Sequence, residues 1–95
     1  MTTGITGGDG HYRLDSELTF VTASRLFEAG AGIIKAGGMQ TLDLSGTGEA
    51  DSAALAVLLG WRRLSGTKGL RLVNPPPGLR ALAQLYGVAE IIFPD

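Results

Sequence analysis

The chain has 95 residues, 44% of them hydrophobic and 18% charged, with 8 basic against 9 acidic side chains. That is enough apolar material for one core and too little length for two, so residues 1–95 are expected to form a single domain. A net charge of -1 gives nucleic acid or an anionic bilayer no basic surface to hold. The absence of Cys, with a single His, excludes disulfides and leaves no thiolate or histidine-based metal site, so neither metal nor cofactor is expected.

In chain order, Met1-Thr-Thr-Gly-Ile-Thr-Gly-Gly has no basic region followed by an apolar stretch. It reads as neither a signal peptide nor a transit peptide, and a cytoplasmic location is expected. Gly4 to Thr6 lead into Gly7-Gly8-Asp9-Gly10, a hairpin turn rich in residues that tolerate positive φ, and His11 to Leu14 follow as a second strand. His11, alone in that strand, suits a surface position better than a ligand role. From Thr22 to Ala36 the residues Ala23, Leu26, Phe27, Gly30, Ile33 and Ile34 keep the spacing of one helical face. Thr22 or Ser24 is placed to cap this first helix, and Gly37-Gly38 to stop it.

Met39 to Leu44 reads as a strand, and the loop Ser45-Gly46-Thr47-Gly48-Glu49-Ala50 carries it to Asp51-Ser52 and a second helix ending near Ser65-Gly66. The longest apolar run, Ala53 to Gly60, falls far short of the roughly 20 residues that span a bilayer, so membrane association is expected only through a partner. Leu70 to Val73 reads as a strand, and Pro75-Pro76-Pro77 end it. A third helix rests on Leu79, Leu82, Ala83 and Tyr86, and Val88 to Phe93 reads as a closing strand. Strands alternating with crossover helices predict an α/β fold: a mixed, mainly parallel sheet with about three helices packed on it.

The second helix is apolar on two sides. Leu55, Leu58 and Leu59 share one face, while Ala53, Val57, Trp61 and Leu64 share another, roughly 140° away. One stripe belongs to the core; the other is either covered by a neighbouring helix or free for a partner, which Trp61 would anchor. At the helix start, the Asp51 carboxylate or the Ser52 hydroxyl can accept from the free amides of the first turn. A hydroxyl there is also a place where a phosphate is tolerated electrostatically.

The stretch Leu42-Asp43-Leu44-Ser45-Gly-Thr-Gly-Glu-Ala-Asp51-Ser52-Ala53-Ala54-Leu55 resembles the signature of STAS domains, the sulfate-transporter and anti-sigma-factor-antagonist family. In that family Asp-Ser-Ser/Ala-Gly-Leu opens the second helix. Leu14-Asp15-Ser16-Glu17-Leu18 is similar to the family's Leu-x-Gly-Glu-Leu, with Ser16 for glycine; Ala54 likewise stands where glycine is usual. Asn74-Pro75-Pro76-Pro77 through Leu85-Tyr86-Gly87-Val88 resembles the third-helix region of STAS subunits in Mla-type phospholipid-transport ABC complexes.

The resemblance implies a non-catalytic cytoplasmic subunit, peripheral to the inner membrane, that binds the transporter's MlaF-like ATPase and assembles or regulates the complex. The alternative it implies is an anti-sigma-factor antagonist that binds a serine-kinase anti-sigma factor and is switched by a phosphate on Ser52. Carried over by position, Ser52 matches the family's phosphoacceptor or partner-contact hydroxyl, and Asp51 the acid before it. Helical geometry extends that expected surface to Glu49, Ala53, Val57 and Trp61.

A catalytic role lacks its parts. Asp43, Glu49 and Asp51 flank one loop, where carboxylates commonly cap or face water, and no His or Lys accompanies Ser45 or Ser52 as a base. Gly46-Thr-Gly48-Glu-Ala-Asp51 opens like a dinucleotide loop but has Asp where the third glycine is required, and Gly30-Ala-Gly32 falls inside the first helix.

Overall fold

A computed structural model describes residues 4–66 and 69–94; the first three residues of the N-terminal stretch read above for a leader lie outside it. The glycine-rich hairpin forms as expected, with β1 (Ile5–Gly8) antiparallel to β2 (Gly10–Leu14). Gly8 pairs with His11 across a two-residue turn, and both turn residues have positive φ, 52° at Asp9 and 86° at Gly10. Asp-Gly is the pair that tolerates this mirror-image turn, whose twist matches that of the strands it joins.

The first helix, α1 (Ala23–Lys35), ends as its glycines predict. Gly37 takes φ 76°, its N–H donates to Ile34 O, and Gly38 N–H donates to Ile33 O. These two bonds satisfy the last carbonyls of the helix and turn the chain into the next strand. β3 (Met39–Asp43) then pairs in parallel with β2, and β4 (Arg71–Val73) in parallel with β3. The sheet order is β1-β2-β3-β4. The parallel neighbours are joined by the crossovers α1 and α2 (Ser52–Ser65), as parallel pairing demands. The register places Leu14, Leu42 and Leu72 on one face, buried, while His11, Arg13, Thr41, Asp43 and Arg71 alternate onto the other, exposed or half-buried.

Two expectations change at this level. The described residues form four helices, because the segment expected as a last strand forms a helical turn, α4 (Ala89–Ile92), after α3 (Pro77–Leu85). Gly87, at φ 72°, donates to Gln84 O and Val88 N–H to Ala83 O, so the end of α3 redirects the chain. Ile92 N–H then reaches Val88 O and Phe93 N–H reaches Ala89 O. Six apolar-rich residues carry too short a pattern to separate strand from helix. Here the backbone partners decide, and Arg62 Nε on α2 donates to Ile92 O to hold the turn in place.

The second change concerns α2. Leu55, Leu58, Val57 and Trp61 are all buried, so both stripes enter the core and only Leu64 at the far end is exposed. The cause lies in α1. A Cβ built on Gly30 would sit 2.5 Å from the Trp61 indole, and one on Gly60 would sit 2.6 Å from the Phe27 ring. Each glycine thus admits the other helix's aromatic ring, and the helices approach closely enough to cover the second stripe. Trp61 is 0% exposed, and its Nε1–H donates to Phe27 O at 3.1 Å. It is a core residue and is withdrawn from the partner surface.

Candidate partner-binding surface

Helices α1 and α2 both begin at the carboxyl end of the parallel strands, and the two loops that lead into them are zipped together. Gly48 N–H donates to Ser16 O at 3.1 Å, Leu18 N–H to Glu49 O at 2.8 Å and Asp51 N–H to Leu18 O at 3.3 Å. Leu18, 0% exposed, drives this strip into the core as an isolated parallel bridge to Ala50.

Asp51 closes the zip. Its Oδ1 accepts from Ala53 N–H at 2.9 Å, capping α2, and its Oδ2 accepts from Phe20 N–H at 3.0 Å. One carboxylate therefore positions the start of α2 and the loop ahead of α1. This settles which side chain caps: Asp51 does, and Ser52 is left exposed as the first residue of the helix. Thr22 occupies the N-cap position of α1, where its carbonyl accepts from Leu26 N–H but its side chain makes no cap bond. Its hydroxyl instead donates to Glu17 O at 2.9 Å and accepts from Thr19 N–H at 3.0 Å, which tightens the same loop.

Beneath Ser52 the β3–α2 loop is braced from the sheet. Arg13 Nε pairs with Asp15 Oδ1 at 2.7 Å and Nη1 reaches Ser45 Oγ at 3.2 Å, while Ser45 N–H donates to Asp43 Oδ1 at 2.8 Å. The bonds from Ser45, with smaller help from Asn74 and Arg13, hold the Asp43 carboxyl below the usual carboxylate range. A Cβ at Gly46 would collide with the Asp15 carboxylate and the Leu14 carbonyl. Glycine is therefore the residue that lets this loop pass so close to the neighbouring strand.

The braced loops present an apolar feature that the sequence reasoning missed. Phe20 is 83% and Val21 87% exposed, side by side ahead of α1. An apolar residue immediately before an N-cap commonly packs back onto the first turn of its helix; Val21 does not, because the Asp51 bond and the Thr22 hydroxyl turn the loop outward. Beside this pair, a shallow, open cleft of about 260 Å³ lies between the first turns of α1 and α2, lined by Ala23, Ser24, Phe27, Ala53, Ala56 and Val57. Of the expected surface, Ala53 and the buried Val57 line the cleft, Asp51 and Ser52 stand at the start of α2 just ahead of them, and Glu49 is exposed in the loop before that. Phe20, Val21 and Ala56 were not singled out from sequence, and Ser24 only as a candidate cap of α1. The one available signal was a large apolar pair set in an otherwise mostly polar loop.

Among the described residues no group of three or more His, Cys, Asp or Glu could hold a metal ion, and no helix is long and apolar enough to cross a membrane. The fold is thus a mixed, mainly parallel sheet with helices packed on it, in which an acid-capped helix opens on an exposed serine after β3. Solved structures of similar fold include the anti-sigma factor antagonist SpoIIAA in its unphosphorylated form, with 20% identity, TM-score 0.67 and coverage of 90% of this chain and 80% of that one. The Bacillus cell fate determinant SpoIIAA in the phosphorylated form is also similar, with 21% identity, TM-score 0.63 and coverage of 88% and 82%. No curated protein sequence matches this chain. The family model described as Mlab, STAS domain, matches residues 1–93, and the chain belongs to that family.

Proposed function

We propose that this protein is the STAS subunit of a Mla-type intermembrane phospholipid transporter. In this role it docks on the complex's ABC ATPase through Phe20, Val21, Ser52 and the α1–α2 cleft, and assembles or regulates the transporter without catalysis of its own. The observation that carries the proposal is the exposed Phe20–Val21 pair, held outward by Asp51 beside Ser52 in a chain of the MlaB-type family. Two adjacent apolar side chains in water, set beside the start of α2, give a partner an apolar contact to complete.

The test is capture by the ATPase subunit of the native cell's Mla-type complex. Phe20→Asp and Val21→Asp change exposed positions and should leave the melting temperature within a few degrees, yet each should weaken capture by about tenfold or more, as for an interface anchor. Undiminished capture by both folded variants would remove the proposal.

A second reading, an anti-sigma-factor antagonist controlled by phosphorylation of Ser52, draws on the fold shared with SpoIIAA and on the exposure of Ser52. The same surface would then meet a serine kinase. Retention of the kinase rather than the ATPase on immobilised protein, with release after phosphorylation of Ser52, would decide for it.

A further inference from the structure

The loops that frame the cleft are charged in one sense. Residues 15–22 and 43–52 contain five of the chain's nine acidic residues, Asp15, Glu17, Asp43, Glu49 and Asp51, and no Lys or Arg. Three of the five are engaged locally: Asp15 by Arg13, Asp43 by Ser45, and Asp51 by two backbone amides. Glu17 and Glu49 are exposed and sit on the two zipped loops, where Leu18 N–H meets Glu49 O. Arg25 lies on α1, about 150° round the helix from the mean direction of Ala23, Ser24 and Phe27, and so faces away from the cleft. The walls of the cleft are mostly small, Ala23, Ser24, Ala53 and Ala56, which lets a backbone come close, as a helix seated between two others requires.

Building on the docking surface proposed above, we propose that its occupant is an amphipathic helix of the partner protein. An apolar stripe of that helix lies along the α1–α2 cleft against Phe20 and Val21, and Lys or Arg residues at one end face Glu17 and Glu49. The acidic rim also selects against an anionic lipid surface, the other environment that would accept an exposed Phe–Val pair.

The experiment titrates the full isotope-labelled chain with two synthetic helices of about 15 residues, sharing one Leu/Ala stripe and carrying either Lys or Glu at the flanking positions. Phosphatidylglycerol vesicles form a third arm. The Lys helix should shift amide signals of residues 17–24 and 49–57, and its affinity should fall several-fold as salt rises from about 50 to 300 mM. Val21→Asp should abolish the shifts. Glu17→Lys combined with Glu49→Lys should reverse the preference between the helices by about tenfold, the sum expected of two exposed ion pairs turned repulsive. Four results would overturn the proposal: no shifts up to millimolar Lys helix, equal affinity for both helices, shifts centred on the exposed Leu85, Tyr86 and Ile91 instead, or binding to the vesicles through Phe20. None of these uses the ATPase, so capture of the ATPase can stand when the charge-matched helix fails, and the converse also holds.

Discussion

Replacing Trp61 with alanine separates the two roles that its sequence position allowed. The indole is 0% exposed, fits over Gly30 and donates to Phe27 O at 3.1 Å. Its removal opens a large cavity at the α1–α2 seam, which in well-packed cores costs about 3–5 kcal/mol. Against a total stability of about 5–10 kcal/mol for such a domain, that is a large fraction. At about 4–8 °C per kcal/mol for a chain of this size, the melting temperature should fall by at least about 12 °C. Trp61→Phe keeps most of the ring but loses the N–H donor, and should cost about 1–3 kcal/mol. Thermal and urea melts followed by circular dichroism measure both, and capture by the partner at matched folded concentration should stay within about twofold of wild type. A Trp61→Ala protein that melts within about 4 °C of wild type yet no longer binds would refute the placement of this side chain in the core.

Gly30→Ala improves helix propensity by about 1 kcal/mol, but its methyl must displace an indole 2.5 Å away. A net loss of stability in urea melts is expected, and a gain would show that the helices part freely. Asp51→Ala gives up both the α2 cap and the anchor of Phe20, so a loss of about 1.5–3 kcal/mol should come with faster hydrogen exchange at the Phe20 amide. Ser52→Ala should change stability by less than about 0.5 kcal/mol, because Asp51 already caps. Ser52→Asp should fold as well, yet lose affinity, since its carboxylate gives up its water in the contact and meets no cation of its own there. For Asp43, whose folded pKa is lowered, the contribution to stability is complete above the unfolded carboxylate value near 4. It is lost as pH falls through the lower folded value, and Asp43→Asn should flatten that acid limb in urea melts below about pH 4.

Local chemistry made much of this protein legible from its residues alone. Asp9-Gly10 has only one comfortable tight turn to adopt, Gly37-Gly38 can close a helix where a residue bearing Cβ is strained, and the apolar spacing of α1 marks its buried face. Asp51-Ser52 announced a helix start because short polar side chains compete for free amides there. These are interactions within a few residues, and their outcome depends little on the rest of the chain. The tertiary structure decided whatever depended on how many neighbours a side chain acquires. The two stripes of α2 were visible as angles, but the close approach of α1, set by Gly30 and Gly60, determined that both would be covered and that Trp61 would face inward. Val88–Phe93 became a helical turn because α3 and Arg62 supplied its partners. Phe20 and Val21 became a surface because a carboxylate 31 residues away in sequence binds the Phe20 amide. Periodicity gives the direction of a side chain from its own backbone, whereas burial also requires a second element at that place, and that element is positioned by contacts far apart in sequence.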